Sequence, residues 1–361
     1  MKIALLGDIA LFGHGSIDKN PLAKDFFKDI ANHLEKYDYV VGNLETPFSS
    51  QKKKHGAKSA YLYSEPINIE ILKWLHINAV TLANNHIFDY GKEAFELTQE
   101  LLDKAGIAWF GVNGKEHFIE KDSNKIAFTG FCCYSSNPID CVKYGQYGVN
   151  EFDVENAFNI LSRYHSDGYL NICAVHAGIE HVNYPSVDTI KVAKKLSGIG
   201  NVIYYGHHPH VAQPVQTIDN SLIAYSLGNF CFDDTYTDNS SKAFIELSED
   251  NRNSFILSIT IENNLIERFE IVPIYIGTEK IQLGRGVDRQ QLDNYLYKIE
   301  NMSKNDYVLM RKEQRAAWVD ARKAKRNISW FLKRLRMRYA KLVFSVIINI
   351  KKYNKHVKRY L

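Results

Sequence analysis

Asn201-Val-Ile-Tyr-Tyr-Gly-His-His-Pro-His210 sets an apolar run directly before three imidazoles. The β-branched and aromatic half reads as a buried strand, and the Gly-His turn ends it. Three histidines then crowd the mouth of a sheet, where α/β proteins usually place their chemistry. A step such as His208-x-His210 can present two ligand nitrogens from one rigid turn. Pro209 between them fixes a backbone dihedral and lowers the entropic cost of holding both. A solvated His-rich loop would explain two neighbouring histidines alone, so the reading depends on what the other strand ends carry.

They carry matching groups. Lys2–Leu6 stops at Gly7-Asp8, and Tyr37–Val41 stops at Gly42-Asn43-Leu44-Glu45. Asn78–Ala83 is followed by Asn84-Asn85-His86 and then Asp89, and Tyr169–Val175 delivers His176-Ala-Gly-Ile-Glu180. One such Asp is usually a helix N-cap. Five strand ends that each hand over a carboxylate, carboxamide or imidazole are hard to explain as caps. A mixed oxygen and nitrogen set suits Mn, Fe or Zn better than a thiolate metal site.

In order along the chain, Gly7-Asp8, Gly42-Asn-Leu-Glu45, Leu82-Ala-Asn-Asn-His-Ile-Phe-Asp-Tyr-Gly91, His176-Ala-Gly-Ile-Glu180, Gly206-His-His-Pro-His-Val211 and Ser226-Leu-Gly-Asn-Phe230 resemble the motifs of the CapA-type capsule synthesis proteins. That family is named for poly-γ-glutamate capsule biosynthesis and belongs to the calcineurin-like metallophosphoesterase superfamily. The resemblance runs from residue 1 to about 275 and is most specific at Ala-Asn-Asn-His-x-x-Asp-x-Gly and His-Pro-His. It implies a sandwich of two β-sheets flanked by helices over residues 1–277, with Asp8, Glu45, Asn85, His176, His208 and His210 converging in one cleft. Residues 278–361 are expected to form a helical, strongly basic extension.

The resemblance also implies roles. Two divalent metals roughly 3.5–4 Å apart can share a bridging ligand and acidify water to a nucleophile. Asp8 and His210 would hold the first, Glu45 would bridge, and Asn85, His176 and His208 would hold the second. His86 would protonate the leaving group, oriented by Asp89. Asn43 and His207 would support the ligands from behind. Glu180 would be an outer carboxylate or a substrate contact. Asn229 would bond the substrate or the His loop, or simply serve its turn. Two departures from the superfamily weaken the first metal position: Ala10 stands where a histidine would complete Asp-x-His, and Glu45 stands where Asp is used.

Composition fits a globular body, with 45% hydrophobic and 24% charged residues, which excludes a disordered chain. Of the five cysteines, Cys132, Cys133 and Cys173 lie in strand-like runs and Cys141 and Cys231 complete the set, without zinc-finger spacing. They read as small buried hydrophobes of a reducing compartment. The strand beginning at Lys2 leaves no room for a signal peptide, and the apolar stretch 342–350 is far short of the ~20 residues that span a bilayer. The expectation is a cytoplasmic protein, peripheral on the inner face of the membrane.

The net charge of +4 hides a division. Residues 311–361 hold 17 Lys and Arg against Glu313 and Asp320, a net of +15, and leave the rest of the chain at −11. Trp318, Ile328, Trp330, Phe331, Leu335, Tyr339, Leu342 and Val343 recur in this tail at roughly helical spacing. A basic amphipathic helix with Trp and Phe suits an anionic membrane surface. Packing on the acidic body is the competing reading. Nucleic acid is the weakest of the three, because no recognition motif accompanies the charge.

Elsewhere, helices are expected over 21–36, 66–75, 92–105, 183–196 and 289–299, and strands over 243–247, 255–262 and 265–276. Asn263-Asn264 reads as a hairpin turn. Residues 49–59 and 135–148 read as loops beside the site. Three functions compete: a metal-dependent hydrolase of a phosphoester or amide in capsule or exopolysaccharide assembly, a non-catalytic subunit of a membrane-bound polymer synthesis or export complex, and a general nucleotide or nucleic-acid phosphoesterase. The partner would be a polyanionic or glycan polymer or its phosphorylated precursor. His86 favours the first, since a binding module needs no proton donor.

Overall fold

The computed structural model describes all residues except 52, 57, 59, 137–139, 237–242, 244 and 324–336. It is a sandwich of two sheets flanked by helices, as the motifs imply. The first sheet runs in the order Ile281–Leu283, Leu265–Ile276, Asn253–Glu262, Lys2–Ile9, Tyr39–Leu44, Ala79–Thr81 and Ala108–Phe110, with Asn229–Cys231 also paired to Lys2–Ile9. The second runs Val215–Ile218, Ser221–Ala224, Val202–His207, Leu170–His176, Asn124–Cys132 and His117–Lys121.

Central strands bury both faces, which is why they read as continuous apolar runs rather than alternating ones. In Lys2–Ile9, Ile3 and Leu5 enter the core between the sheets, where they join Val41, Phe128, Ile172 and Ile203. Ala4 and Leu6 point to the opposite core, with Phe27, Ile30, Leu72 and Phe95 from the outer helices. A third core lies outside the second sheet, built from Val175, Tyr204, Leu161 and Leu196.

The hairpin at Asn263-Asn264 forms, with both residues in the left-handed region at φ 50° and 63°, joining Asn253–Glu262 to Leu265–Ile276. Three expectations need correcting. Of the described residues in 243–247, only Ile245 pairs, as an isolated bridge to Thr235, while residue 244 lies outside the described residues. The Leu247 amide instead donates to Asp234 Oδ1 at 2.8 Å, and Ser248 caps a helix immediately after. The helix expected over 21–36 breaks into Ala23–Phe26 and Lys28–Leu34, and that over 183–196 begins only at Val187, where Ser186 caps it after Pro185. The sheet also runs past residue 277, because Ile281–Leu283 pairs with Leu265–Ile276, and Val287 and Leu292 enter the inter-sheet core.

All five cysteines are buried and free. Beyond the sheets, the helix Lys304–Lys323 lies on the segment 181–185. Tyr307 donates to the Pro185 carbonyl at 2.6 Å, and Arg311 Nε to that of Tyr184 at 2.9 Å. The end of the helix Met337–His356 docks on the third core: Val357 is buried there, His356 pairs with Asp153, and Lys195 donates to the Tyr360 carbonyl at 3.1 Å. The tail therefore packs on the body at both described ends. Ile328, Trp330, Phe331 and Leu335 lie outside the described residues, as do the side chains of Tyr339, Leu342 and Val343. Among the described residues no helix is long and apolar enough to cross a membrane.

Candidate metal centre

Strand register assembles the site. Asp8 pairs across the first sheet with Asn43 on one side and Asn229 on the other. In the second sheet His207 pairs with His176. Two adjacent rows of polar side chains therefore face each other where the sheets end. Gly206 makes the fit possible: a Cβ there would lie 1.9 Å from the Tyr225 carbonyl oxygen, so no other residue lets the strand come this close.

Asp8 lies at the centre, with no solvent exposure. Its Oδ1 accepts from Asn43 Nδ2 at 2.8 Å and lies 2.9 Å from His207 Nδ1. Its Oδ2 is 3.4 Å from His210 Nδ1. Glu45 Oε1 stands 3.7 Å from His210 Nε2 and 3.8 Å from His176 Nε2. His176 Nε2 is also 2.8 Å from Asn85 Oδ1, and its ring centroid is 4.8 Å from that of His208. Ligand atoms of Asp8, Glu45 and His210 all lie within 4.8 Å of one another, as do those of Glu180, His208 and His210. The six residues proposed as ligands share one cleft. The grouping differs in one respect from the one that resemblance implies: Glu180 joins His208 and His210, so its carboxylate belongs at the edge of the centre.

The supporting residues form a fixed frame. Asn84 Nδ2 donates to Asn43 Oδ1 at 3.2 Å, while Asn84 Oδ1 accepts from the amides of His86 and Ile87. Asn229 Oδ1 lies 2.9 Å from His210 Nδ1, so Asn229 addresses the His loop. His208 and His210 sit at φ 93° and 57°, in the region non-glycine residues avoid. Such a conformation costs about 1–3 kcal/mol per residue and persists only where the surroundings over-determine it. Here Asp8 Oδ2 accepts from the His208 amide at 3.4 Å, and Asn251 Nδ2 donates to the His210 carbonyl at 2.8 Å.

The electrostatics are those of a cation site. Burial pushes the Glu45 carboxyl well up, and the nearby charges of Asp8, Glu180 and Asp89 push it further. Neither Glu45 oxygen has a hydrogen-bond partner. A buried carboxylate without a partner is strongly penalised, and a divalent cation would remove the penalty. Burial would raise Asp8 too, but the hydrogen bond and charge of His207, the charge of His210 and the Asn43 amide hold it below the usual range. Burial lowers His208 to about 4 and His176 well below its ordinary value, with the neighbouring imidazoles adding to it. Both are thus neutral and able to ligate at pH 7. The residues fit a divalent-metal centre of oxygen and imidazole donors.

Beside it, His86 Nδ1 lies 2.6 Å from Asp89 Oδ2. Asp89 Oδ1 accepts from Lys58 Nζ at 2.6 Å, and the same ammonium bonds the Asn85 carbonyl. Burial would raise Asp89, but His86 and Lys58 hold it below the usual carboxylate range. Lys58 was missed in the sequence, where it is one more lysine in a loop that already holds Lys52-Lys53-Lys54. Nothing local distinguishes it, yet its side chain is only 11% exposed. A cavity of about 300 Å³ opens over His86, Asn85 and His210, walled by Leu62, Phe232 and Leu247.

With this geometry in place, the comparisons with known proteins assign the class. The bacterial capsule synthesis protein family PGA_cap matches residues 2–234, and the chain belongs to that family, a branch of the calcineurin-like metallophosphoesterases. It is similar to the PGA biosynthesis protein CapA of Bacillus subtilis (strain 168), 27% identical over 285 residues that cover 76% of this chain and 72% of that protein. The capsule biosynthesis protein CapA of Bacillus anthracis is also 27% identical, over 276 residues, covering 72% and 66%. Among solved structures, a putative 5'-nucleotidase from Staphylococcus aureus in complex with alpha-ketoglutarate aligns with a TM-score of 0.46 at 11% identity. The Haemophilus influenzae NAD nucleotidase NadN aligns at 0.45 and 11%. This chain spans 58% and 60% of those two, which cover 83% and 90% of it.

Proposed function

We propose that this protein is a divalent-metal-dependent hydrolase acting on a phosphoester in capsule polymer assembly. The observation that carries the reading is Glu45, a buried carboxylate with no hydrogen-bond partner, set between the Nε2 atoms of His176 and His210. Asp8, Glu45 and His210 would hold one ion and Asn85, His176 and His208 a second, with Glu180 at the edge. Divalent ions bound by these residues would supply Lewis-acid polarisation of a phosphoryl oxygen and a more acidic water.

The other groups have tasks of their own. His86, which lines the cavity, would act in its doubly protonated form, giving the Nε2 proton to the leaving oxygen while Asp89 accepts from Nδ1–H and stabilises the cation. Lys58 neutralises Asp89 and ties it to the Asn85 carbonyl, so proton donor and ligand loop move as one unit. Leu62, Phe232 and Leu247 give this cavity an apolar wall beside His86.

In the competing reading the chain is a non-catalytic subunit of a polymer synthesis or export complex, and the buried His86–Asp89–Lys58 line then has no task. The test uses full-length protein with Mn and two kinds of substrate, an aryl phosphodiester and a γ-linked glutamate oligomer. Turnover of the diester that disappears in His208→Ala together with bound Mn supports the proposal. Hydrolysis of the glutamate oligomer alone would make the bond an amide, and no turnover of either by metal-loaded protein gives the lead to the subunit reading. An anionic membrane is proposed as a surface partner, supported by Phe344, Ile347 and Ile348 lying exposed on the helix that also carries Lys351 and Lys355.

A further inference from the structure

One short irregular segment, residues 181–185, lies between the metal centre and the helix Lys304–Lys323. Its backbone is divided between two neighbours. Toward the His loop, the His181 amide donates to the Pro209 carbonyl at 2.8 Å, and Gln213 Nε2 donates to the Val182 carbonyl at 2.7 Å. Toward the helix, the Asn183 amide donates to Gln314 Oε1 at 3.2 Å, while the Tyr184 and Pro185 carbonyls accept from Arg311 and Tyr307. Trp318 completes the row by stacking on the His181 ring, with centroids 4.4 Å apart and planes 24° apart. Positions 307, 311, 314 and 318 have the spacing of a single helix face. That face grips the segment along its whole length.

His181 is the link inward. It holds φ 60°, in the left-handed region that His208 and His210 also occupy. Asn251 stands between it and the His loop. Asn251 Oδ1 accepts from the Ser248 amide at 3.1 Å and from its hydroxyl at 2.7 Å, which turns Nδ2 toward the histidines. A carboxamide nitrogen carries two donors. One goes to the His210 carbonyl at 2.8 Å and the other to His181 Nδ1 at 3.0 Å.

We infer that Trp318 is a positioning residue of the metal centre: through His181 and Asn251, the helix Lys304–Lys323 holds His210 in its ligating conformation and so sets metal affinity. The inference rests on the metal centre of the proposed function and is independent of whether that centre hydrolyses anything. Strained backbone persists only where its surroundings over-determine it, and at His181 the helix supplies part of that constraint. Removing the stack takes away a contact that fixes the His181 ring, and with it one of the two groups that orient the Asn251 amide. Groups behind a ligand that fix its orientation are a recognised determinant of metal affinity. The helix lies beyond residues 2–234, which the family matches, so this support comes from outside the matched motifs.

The test is Mn binding to full-length protein by calorimetry, beside hydrogen exchange of the metal-free protein. Trp318→Ala should weaken Mn binding about tenfold, as loss of a group that orients a ligand typically does. Trp318→Phe, which keeps a ring to stack on His181, should recover most of the affinity. Val357→Ala, in the third core, is the control for a loosened tail. It should lower the unfolding temperature and leave Mn affinity at the wild-type value. In metal-free wild type, peptides covering 207–212 and 307–318 should exchange together as one cooperative unit, and Trp318→Ala should speed the first. Wild-type Mn affinity in folded Trp318→Ala overturns the inference, and so does equal weakening by Val357→Ala. If Trp318→Ala does not fold, exchange in the wild type decides: joint exchange of the two peptides supports the brace, and a helix peptide that exchanges far ahead of 207–212 overturns it. A wild type that binds no Mn removes the metal-centre reading and this inference with it. Unchanged affinity in Trp318→Ala beside a metal-binding wild type removes the inference alone.

Discussion

His86 Nδ1 and Asp89 Oδ2 lie 2.6 Å apart, three residues from each other on one turn, with Asp89 fully buried. The pairing leaves Nε2 as the His86 nitrogen that Asp89 does not engage, and His86 lines the cavity beside Asn85, one of the residues proposed as ligands. If His86 is the proton donor, His86→Ala keeps its bound Mn while turnover falls about 10²–10⁴-fold, the usual contribution of general acid catalysis. The loss should shrink for esters whose leaving groups depart without protonation. Metal content by elemental analysis and a series of aryl phosphodiesters check both halves.

Lys58 carries the opposite charge for Asp89 and stands 3.5 Å from Asp140 as well. Removing one partner of a buried pair leaves the other charge uncompensated, at a cost of about 3–5 kcal/mol. Lys58→Met should therefore lower the urea midpoint strongly. Lys58→Arg, which keeps the charge, should recover part of it. Equal midpoints for wild type and Lys58→Met would mean that Asp89 is not held ionised by this lysine.

Glu45 is pushed well above the ordinary carboxyl range by burial and by the charges around it. Burial and these charges favour its protonated form in metal-free protein, so binding Mn is expected to release protons. Calorimetric titration in two buffers of different ionisation enthalpy should give different apparent heats, and Glu45→Gln should abolish much of that difference. Mn at a hundred times its Kd should add about 2.7 kcal/mol of stability. No change in unfolding temperature with any first-row divalent ion would argue strongly against the site.

His208 is held at about 4 by burial, against an ordinary 6.5. The unfolded chain binds the proton more readily than the folded one between these values. Stability is thus fully present above pH 6.5 and falls as the pH drops toward 4, by an amount on the order of 3 kcal/mol. Glu45 works in the other direction, since its raised carboxyl favours the folded state only while protonated and that contribution is lost as the pH rises above the ordinary carboxyl range. Urea melts of chelated wild type and His208→Gln from pH 4 to 7 separate the two, because the variant lacks the first dependence and keeps the second.

Much of this was legible in the chain itself. The strands that carry Asp8, Glu45, Asn85, His176 and His208 are short apolar runs that stop at polar residues, and that pattern is set by local spacing and side-chain type. Which residues end a strand needs no knowledge of the neighbour across the sheet, so the polar strand-end residues could be read one segment at a time, while their roles as ligands rest on the family resemblance. The turn at Asn263-Asn264 was equally local, because those residues tolerate positive φ.

Only the tertiary structure decided the rest. Lys58 looks like any loop lysine until Asp89 and Asp140 arrive from elsewhere in the chain to surround it. The strained backbone of His208 and His210 is fixed by Asp8 and Asn251, more than 40 residues away from either on both sides. Residues 243–247 have the pattern of a strand, but among the described residues only Ile245 bridges, to Thr235, and the Leu247 amide goes to Asp234. The tail shows a helical apolar pattern, yet which of its sides meets the acidic body depends on where His181, Asp153 and the third core lie. A sequence sets what each segment prefers, while burial, charge pairing and backbone strain are energies of residues brought together from far apart.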